Sequence, residues 1–151
     1  MSRRHDSLIP LTHDHHHALA QTRNLRMAAG GEAKDLLQQS QRFLAFFSED
    51  TLRHFREEEE IVFPLAIEDQ RGSNLLSRAV TEHLQIHALV ARLAIEVGEG
   101  RVRGSSALGL AEAVEAHIRF EEREIFPLLE EVVSDAQLRR MTLPPRNRNA
   151  A

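Results

Sequence analysis

The sequence lacks cysteine, tyrosine and tryptophan entirely. Without cysteine there can be no disulfide framework, no thiolate metal site and no cysteine nucleophile. Without tyrosine, a tyrosyl radical and a tyrosine acid are excluded as well. Against these absences stand nine histidines, which are His5, His13, His15, His16, His17, His54, His83, His87 and His117. Histidine is therefore the residue type whose placement has to be explained.

The chain also lacks a long apolar run, since no stretch approaches the roughly 20 apolar residues of a membrane-spanning helix. Its beginning carries Arg3 and Arg4 followed by polar residues, without the apolar region of a signal peptide. The net charge of -4 argues against a general binder of nucleic acids or anionic membranes. We therefore expect a cytoplasmic protein with no membrane or nucleic-acid partner, and its 151 residues suit one domain.

Glycine and proline are sparse, and the segments between them are rich in residues that favour helices. The predicted helices cover 12–29, 34–66, 74–97 and 106–131, with a short helical turn at 135–141 that Ser134 caps. Gly72 and Ser73 are predicted to separate the second helix from the third. Four long helices with short connections predict an all-α fold, an antiparallel up-and-down four-helix bundle over residues 1–141. Residues 142–151 are expected to form a polar tail whose charges are solvated.

Each long helix carries an apolar stripe with steps of three and four residues, and polar residues interrupt each stripe near its middle. The stripe of the second helix contains Phe47, Thr51, His54, Glu58, Ile61 and Leu65, and that of the fourth contains Leu110, Val114, His117, Glu121, Ile125 and Leu128. The stripe of the third contains Leu76, Val80, His83, His87, Val90 and Ala94, and that of the first contains Leu8, Leu11, His15, Ala18 or Leu19, Thr22 and Leu25. Burying such polar side chains without partners is unfavourable, so something must satisfy them.

An internal repeat contains several of these polar residues. Residues 54–64 read HFREEEEIVFP and residues 117–127 read HIRFEEREIFP, with six of eleven positions identical. Both segments have the spacing His-x-x-x-Glu followed by Phe-Pro. A looser similarity relates Asp14-His15 on the first helix to Glu82-His83 on the third. The pattern indicates two helical hairpins related by an approximate two-fold axis.

The spacing within the repeat suits metal binding. Residues four apart lie on one helix face, so the pairs His54/Glu58, His117/Glu121 and His83/His87 can each reach one metal centre. Imidazole with carboxylate suits iron, zinc, copper, manganese or nickel. With one histidine from the first helix there are seven candidate ligands, too many for one tetrahedral ion and about right for two ions that share carboxylates.

Each of these residues also has a purely structural interpretation. A single inward histidine is usually a hydrogen-bonded core residue, and the acidic run 57–60 is expected to be mostly a solvated face with only Glu58 turned inward. The combination of inward histidines and glutamates on four helices favours a dinuclear metal site instead. Competing motifs are absent, since the chain contains no His-Glu-x-x-His, no Glu-x-x-His, no glycine-rich phosphate loop and no Gly-x-Ser-x-Gly.

On these motifs the chain resembles the hemerythrin family, in particular the bacterial hemerythrin-like proteins of the His-His-Glu cation-binding type, over about residues 8–131. The resemblance implies a four-helix bundle around two iron ions with a bridging oxo or hydroxo group. It implies that one iron is bound by His83, His87 and His117, that the other is bound by His15 and His54, and that Glu58 and Glu121 bridge the pair. The second iron, with fewer protein ligands, would be the place where O2 binds.

Two departures from the oxygen carriers of that family affect the expectation. The carriers have His-x-x-x-x-Asp on the last helix, whereas this chain has His117-x-x-x-Glu121, which resembles the regulatory and redox-active members more closely. Glu122 would fit the longer spacing, but the repeat favours Glu121. The first helix offers several histidines, of which His15 lies on the apolar stripe and His16 is the alternative.

We therefore expect a non-haem di-iron protein that binds or reacts with O2, peroxide or nitric oxide in sensing, storage or protection. A di-iron peroxidase or catalase-like enzyme is one alternative, and an iron-handling or iron-responsive regulatory protein is another. An interaction bundle with polar core histidines would bind no stoichiometric metal. The sequence leaves the oligomeric state and the redox partner open.

Overall fold

The computed structural model describes residues 3–146, and these residues form helices and no strand. The helices are α1 (Ile9–Ala29), α2 (33–66), α3 (Gln70–Gly98), α4 (104–132) and α5 (Asp135–Arg140). A 3-10 turn, Asp6–Leu8, precedes α1. The predicted all-α class is confirmed. Ser134 caps α5 as expected, since its hydroxyl accepts from the backbone N–H of Gln137.

The helices α2 and α4 are interrupted by wider π-helical turns. In α2 these are Phe47–Thr51 and Glu58–Val62, and in α4 the turn is Glu121–Ile125. The N–H of Phe63 donates to the carbonyl of Glu58, and the N–H of Phe126 donates to the carbonyl of Glu121. Each of these bonds spans five residues, and a proline without an N–H follows each phenylalanine. The repeated Phe-Pro therefore coincides with a repeated widening of the helix.

The π turn of α2 changes which residues face inward beyond Glu58. Val62 and Ala66 are buried there, whereas Ile61 and Leu65 are only half-buried. The predicted stripe is wrong at this end of α2, because it assumed a constant helical period. A wider turn places one additional residue in the helix and moves the inward face by one position.

A similar shift of one position occurs on α3 without a π turn. Its buried residues are Gly72, Leu76, Ala79, His83, Ile86 and Leu93. Val80 is 37% exposed, and His87 is exposed as well. The prediction that these two residues face the core is therefore wrong. Steps of three from Leu76 and His83 lead to Ala79 and Ile86, and those residues fill the space instead.

The four long helices contact one another in a closed ring. α1 packs against α2 and α4, and α3 packs against α2 and α4. One apolar cluster contains Phe43, Phe55, Ile86, Leu110 and Ile118 among others, and a second contains Leu8, Leu11, Phe63, Ile125 and Phe126 among others. Along α1 and α3 the inward residues His15 and His83 fall between these clusters. None of the helices in residues 3–146 has a segment long and apolar enough to span a bilayer.

Gly72 does not separate two helices but lies in the first turn of α3. Asp69 caps this helix, and its carboxylate accepts from the N–H groups of Arg71 and Gly72. A Cβ at Gly72 would lie 2.1 Å from the carbonyl oxygen of Ala66 at the end of α2. Glycine is therefore required by the close approach of two backbones.

We predict that Gly72→Ala lowers the free energy of unfolding by about 1–3 kcal/mol, because the backbones must separate to admit the methyl group. Gly109 in α4 is the matched control, since a Cβ there meets nothing within 4 Å. Gly109→Ala should instead stabilise the protein by about 0.5–1 kcal/mol. Urea denaturation of both variants measures the difference, and equal effects would contradict the prediction.

Candidate metal centre

Six polar side chains from the four long helices meet in the core. They are His15 of α1, His54 and Glu58 of α2, His83 of α3, and His117 and Glu121 of α4. All six are buried, and Glu58 and Glu121 are 0% exposed. The helical spacing of four residues brings each glutamate beside the histidine of its own repeat.

The six side chains form two groups that share both glutamates. His15 and His54 belong to one group and His83 and His117 to the other, and Glu58 and Glu121 belong to both. Within each group the potential ligand atoms lie within 4.8 Å of one another. We call these groups the His15–His54 position and the His83–His117 position.

Each shared carboxylate directs one oxygen to each position. Oε2 of Glu58 lies 3.1 Å from Nε2 of His54, and its Oε1 lies 3.3 Å from Nε2 of His83. Oε1 of Glu121 lies 2.9 Å from Nε2 of His15, and its Oε2 lies 3.1 Å from Nε2 of His117. This is the geometry of two bridging carboxylates between two metal ions.

Several of these atoms have no hydrogen-bond partner within the described part of the chain. They are Nε2 of His54, His83 and His117, both carboxylate oxygens of Glu58, and Oε2 of Glu121. Buried polar atoms without partners are costly and need an explanation. Ligand atoms about 2 Å from a common ion lie about 3–3.5 Å apart, which agrees with the separations seen here. The residues therefore fit a pair of metal ions.

The other nitrogen of each core histidine contacts a carboxylate outside the cluster. The Nδ1 atoms of His54, His83, His117 and His15 lie 2.9, 2.7, 2.7 and 2.6 Å from oxygens of Asp14, Glu59, Glu82 and Glu122, respectively. Such outer carboxylates fix the tautomer and ring orientation of metal-binding histidines. Here they turn all four Nε2 atoms toward the two positions.

These outer carboxylates follow the order of the helices. Asp14 of α1 holds a histidine of α2, and Glu59 of α2 holds one of α3. Glu82 of α3 holds a histidine of α4, and Glu122 of α4 holds the one on α1. The four contacts therefore form a closed ring, in which every helix orients a ligand on the next.

Sequence reasoning missed this ring. The signal was that each outer carboxylate is the sequence neighbour of a core residue, as in Asp14-His15 and Glu58-Glu59. The expectation that the acidic run is mostly solvated is wrong for Glu57, which is 5% exposed, and Glu59 contacts His83. Glu122 lies outside the core cluster, where it supports His15, and Glu121 lies inside it.

The glutamates raise the pKa values of the core histidines. Burial lowers the pKa of His54, but the negative charges of Glu58 and Glu121 raise it to about 10. Burial is likewise outweighed at His83, whose pKa is raised to about 10, and at His117, whose pKa is raised to about 9. Despite burial, the charge of His117 holds the pKa of Glu121 well below its usual range. Without a metal, protons on the imidazoles balance the buried carboxylates.

The remaining candidate histidines lie outside the two groups. His87 is exposed, and its ring centroid lies 5.6 Å from that of Phe47 and 5.9 Å from that of Phe55. Phe55 stacks on His83 at 3.8 Å, so it lies against both histidines. His16, the alternative ligand of α1, is also exposed. The structure thus brings six of the seven predicted ligands together and leaves His87 apart.

An apolar cavity of about 20 Å³ adjoins the cluster, with room for a molecule of the size of water. It is lined by Asp14, His15, Ala18, Phe46, Asp50, Thr51, His54, Phe55, Val114, His117 and Ile118. The cavity touches histidines of both positions. A small molecule can therefore lie beside the candidate ligand residues.

Residues 7–129 match the family model described as the hemerythrin HHE cation-binding domain. The chain belongs to this family, as the resemblance noted from its motifs predicted. The comparison with curated proteins found no significant match, and the comparison with solved structures found none either. The site and the family together define a helical protein with a cation-binding core.

We predict that the metal-free protein loses stability as the pH rises from 6.5 to about 10. The pKa values of His54 and His83 are about 10 in the folded protein and near 6.5 when unfolded. Their protonation therefore stabilises the fold fully below pH 6.5, and this contribution is lost as the pH passes through the folded values. Urea denaturation of chelator-treated protein measures the trend.

Metal affinity should change in the opposite direction over the same pH range, because metal binding requires neutral imidazoles and releases their protons. Calorimetric titration in buffers of different ionisation enthalpy detects this proton release. A metal-free protein whose free energy of unfolding rises between pH 6.5 and 10 would contradict the prediction of falling stability.

Proposed function

We propose that the protein is a non-haem di-iron protein that binds or reacts with O2 or a related small ligand, in sensing, storage or protection. The observation that supports this most directly is the sharing of Glu58 and Glu121 between two groups of ligand atoms. Membership of a cation-binding family agrees with it. We further propose that the four long helices form an antiparallel up-and-down bundle around the two ions.

The donor set suits iron within this proposal. Each position offers two imidazoles and two carboxylate oxygens, and imidazole with carboxylate suits iron among other transition metals. Four protein ligands do not fill a six-coordinate ion, so each ion has room for an exogenous ligand. When bound, the ions would supply electrons and open coordination positions to a small molecule. An oxo or hydroxo bridge is part of the proposal, by resemblance to the family.

The chain's own residues select what reaches the ions. Phe46, Phe55, Val114 and Ile118 give the cavity an apolar wall, which favours a small uncharged molecule over an anion. The outer carboxylates keep the imidazoles in place while such a ligand enters or leaves. A cytoplasmic location and the absence of a nucleic-acid partner stay predictions from the sequence.

A di-iron peroxidase or catalase-like enzyme is the second candidate. The observation that favours it is the presence of Asp50 and Thr51 in the cavity wall beside the core histidines. Asp50 is partly exposed and can exchange protons with solvent, which peroxide chemistry requires. If this candidate is correct, the iron-loaded protein consumes hydrogen peroxide faster than free iron, and Asp50→Asn slows it.

We predict that the protein binds two ferrous ions per chain under anaerobic conditions and that Glu58→Gln abolishes or weakens both sites. The glutamine lacks the charge and the second oxygen ligand that the two positions share. Glu60 is the matched control, because it lies in the same acidic run but is exposed and paired with Arg56. Glu60→Gln should retain two ions, as measured by equilibrium dialysis with metal analysis.

The same assay tests His87, the predicted ligand that lies outside the two groups. His87→Ala should retain both ions if the six clustered residues suffice, whereas His83→Ala should weaken the His83–His117 position. Equal losses for the two variants would restore His87 to the ligand set. An unchanged stoichiometry in Glu58→Gln would contradict the proposed centre.

We predict a visible or near-ultraviolet band when the ferrous protein meets O2, readily seen because the chain has no tyrosine and no tryptophan. A band that disappears when O2 is removed supports a reversible binder. A band that persists supports redox chemistry, and peroxide consumption then decides for the enzyme. The absence of any oxygen-dependent band in protein loaded with two ions would contradict a role in O2 binding.

A further inference from the structure

The two ends of the described chain each place an arginine on an outer carboxylate of the centre. Arg4 precedes α1, and Arg146 lies six residues after the end of α5. The carboxylates that they contact are Glu122 and Asp14, which hold the two histidines of the His15–His54 position.

Arg4 contacts the carboxylate of Glu122 from the side opposite to His15. Its guanidinium lies 3.2 Å from Oε1 of Glu122, whose Oε2 lies 2.6 Å from Nδ1 of His15. The same guanidinium donates to the backbone carbonyl of Glu122 at 2.9 Å and to Glu130 at 2.6 Å. Its position over the ring of Phe126, 5.3 Å from the centroid, adds a further contact. These contacts hold Glu122 in one orientation.

Arg146 makes the equivalent contact with Asp14. One guanidinium nitrogen lies 3.0 Å from Oδ2 of Asp14 and 2.5 Å from Oε1 of Glu57. Oδ2 of Asp14 also lies 2.9 Å from Nδ1 of His54. The side chain of Arg146 is 10% exposed, so the expectation of solvated tail charges does not hold for this residue. Residues 147–151 of the predicted tail lie outside the described residues.

Apolar contacts hold the part of the tail that precedes Arg146. Met141 and Leu143 pack against the apolar cluster that includes Leu8, Phe63 and Phe126. The carbonyl of Pro144 accepts a hydrogen bond from Arg146 at 2.6 Å. The described part of the tail thus places a partly buried charge beside two buried carboxylates.

Within residues 3–146, the His83–His117 position has no comparable connection to a chain end. Its outer carboxylates are Glu59 and Glu82, of which Glu59 is 41% exposed. Glu82 is held by Arg78 of its own helix, whose side chain is 55% exposed. An exposed pair within one helix contributes little, whereas a partly buried guanidinium with several charged hydrogen bonds restrains its partner more strongly. The two positions therefore differ in what supports their ligands.

We propose that Arg4 and Arg146 are positioning residues that make metal binding at the His15–His54 position depend on the docking of both chain ends. This inference rests on the proposed two-metal centre. Each arginine acts through one carboxylate, which in turn orients one histidine. Loss of an outer partner of a metal-binding histidine typically costs about 10–100-fold in metal affinity. Removing the arginine leaves the carboxylate in place, so an effect near the lower end is expected.

The experiment isolates the two positions with single-ligand variants of the full chain. His83→Ala leaves the His15–His54 position as the stronger site, and His15→Ala leaves the other. Co2+ is titrated against a coloured chelator, with and without Arg146→Gln in each background. Arg146→Gln should weaken Co2+ binding about tenfold in His83→Ala and leave it unchanged in His15→Ala. Arg4→Gln should behave like Arg146→Gln.

Two further variants serve as matched controls. Arg139→Gln removes an exposed pair with Asp135 near the same end of the chain and should change neither position. Arg78→Gln removes an exposed pair with Glu82 on the same helix and should change Co2+ binding little in either background. Circular dichroism establishes that each variant retains its helices, and Arg146→Lys should recover part of the lost affinity.

The outcomes separate this inference from the function on which it rests. A wild-type chain that binds two Co2+ ions, with Arg146→Gln inert in His83→Ala, would overturn the inference alone. Equal weakening in both backgrounds would overturn it as well, because the arginine would then act on general stability. A wild-type chain that binds no Co2+ would overturn the proposed centre and this inference together.

Discussion

The structure depends on keeping two fully buried glutamates charged inside a helical core. An isolated carboxylate in such surroundings is strongly unfavourable, so Glu58 and Glu121 need positive charge nearby. Four imidazoles surround them, and the charge comes either from protons on those imidazoles or from metal ions that replace the protons. The outer carboxylates then balance the imidazoles, and Arg4 and Arg146 in turn balance the carboxylates of Glu122 and Asp14. Each set of charged side chains therefore compensates the charge of the set that lies inside it.

The ring of outer carboxylates gives the internal repeat its structural meaning. Two helices carry the sequence His-x-x-x-Glu-Glu, and the two helices between them carry an acid followed by histidine. In the folded chain, each helix supplies a core ligand and also orients a ligand of its neighbour. The approximate two-fold repeat of the sequence therefore corresponds, in the folded chain, to the ring of four contacts around the shared glutamates.

Most of the fold, and the meeting of six of the seven predicted ligand residues in the core, follow from helical periodicity and the repeat. The prediction fails where local helix geometry departs from a constant period or where two elements must meet. The π turn after Glu58 exchanges Ile61 for Val62, and packing on α3 favours Ile86 over His87. The path that brings Arg146 to Asp14 depends on contacts across 132 residues, which no local pattern encodes.

The ring also has a consequence for the order in which the molecule assembles. Three of its contacts join residues that are 24 to 40 positions apart in the sequence and lie on neighbouring helices. A pair of neighbouring helices can make such contacts early in folding. The fourth joins Glu122 to His15 across 107 residues and requires nearly the whole chain. The arrangement of the core histidines and glutamates is therefore complete only when α4 has packed against α1.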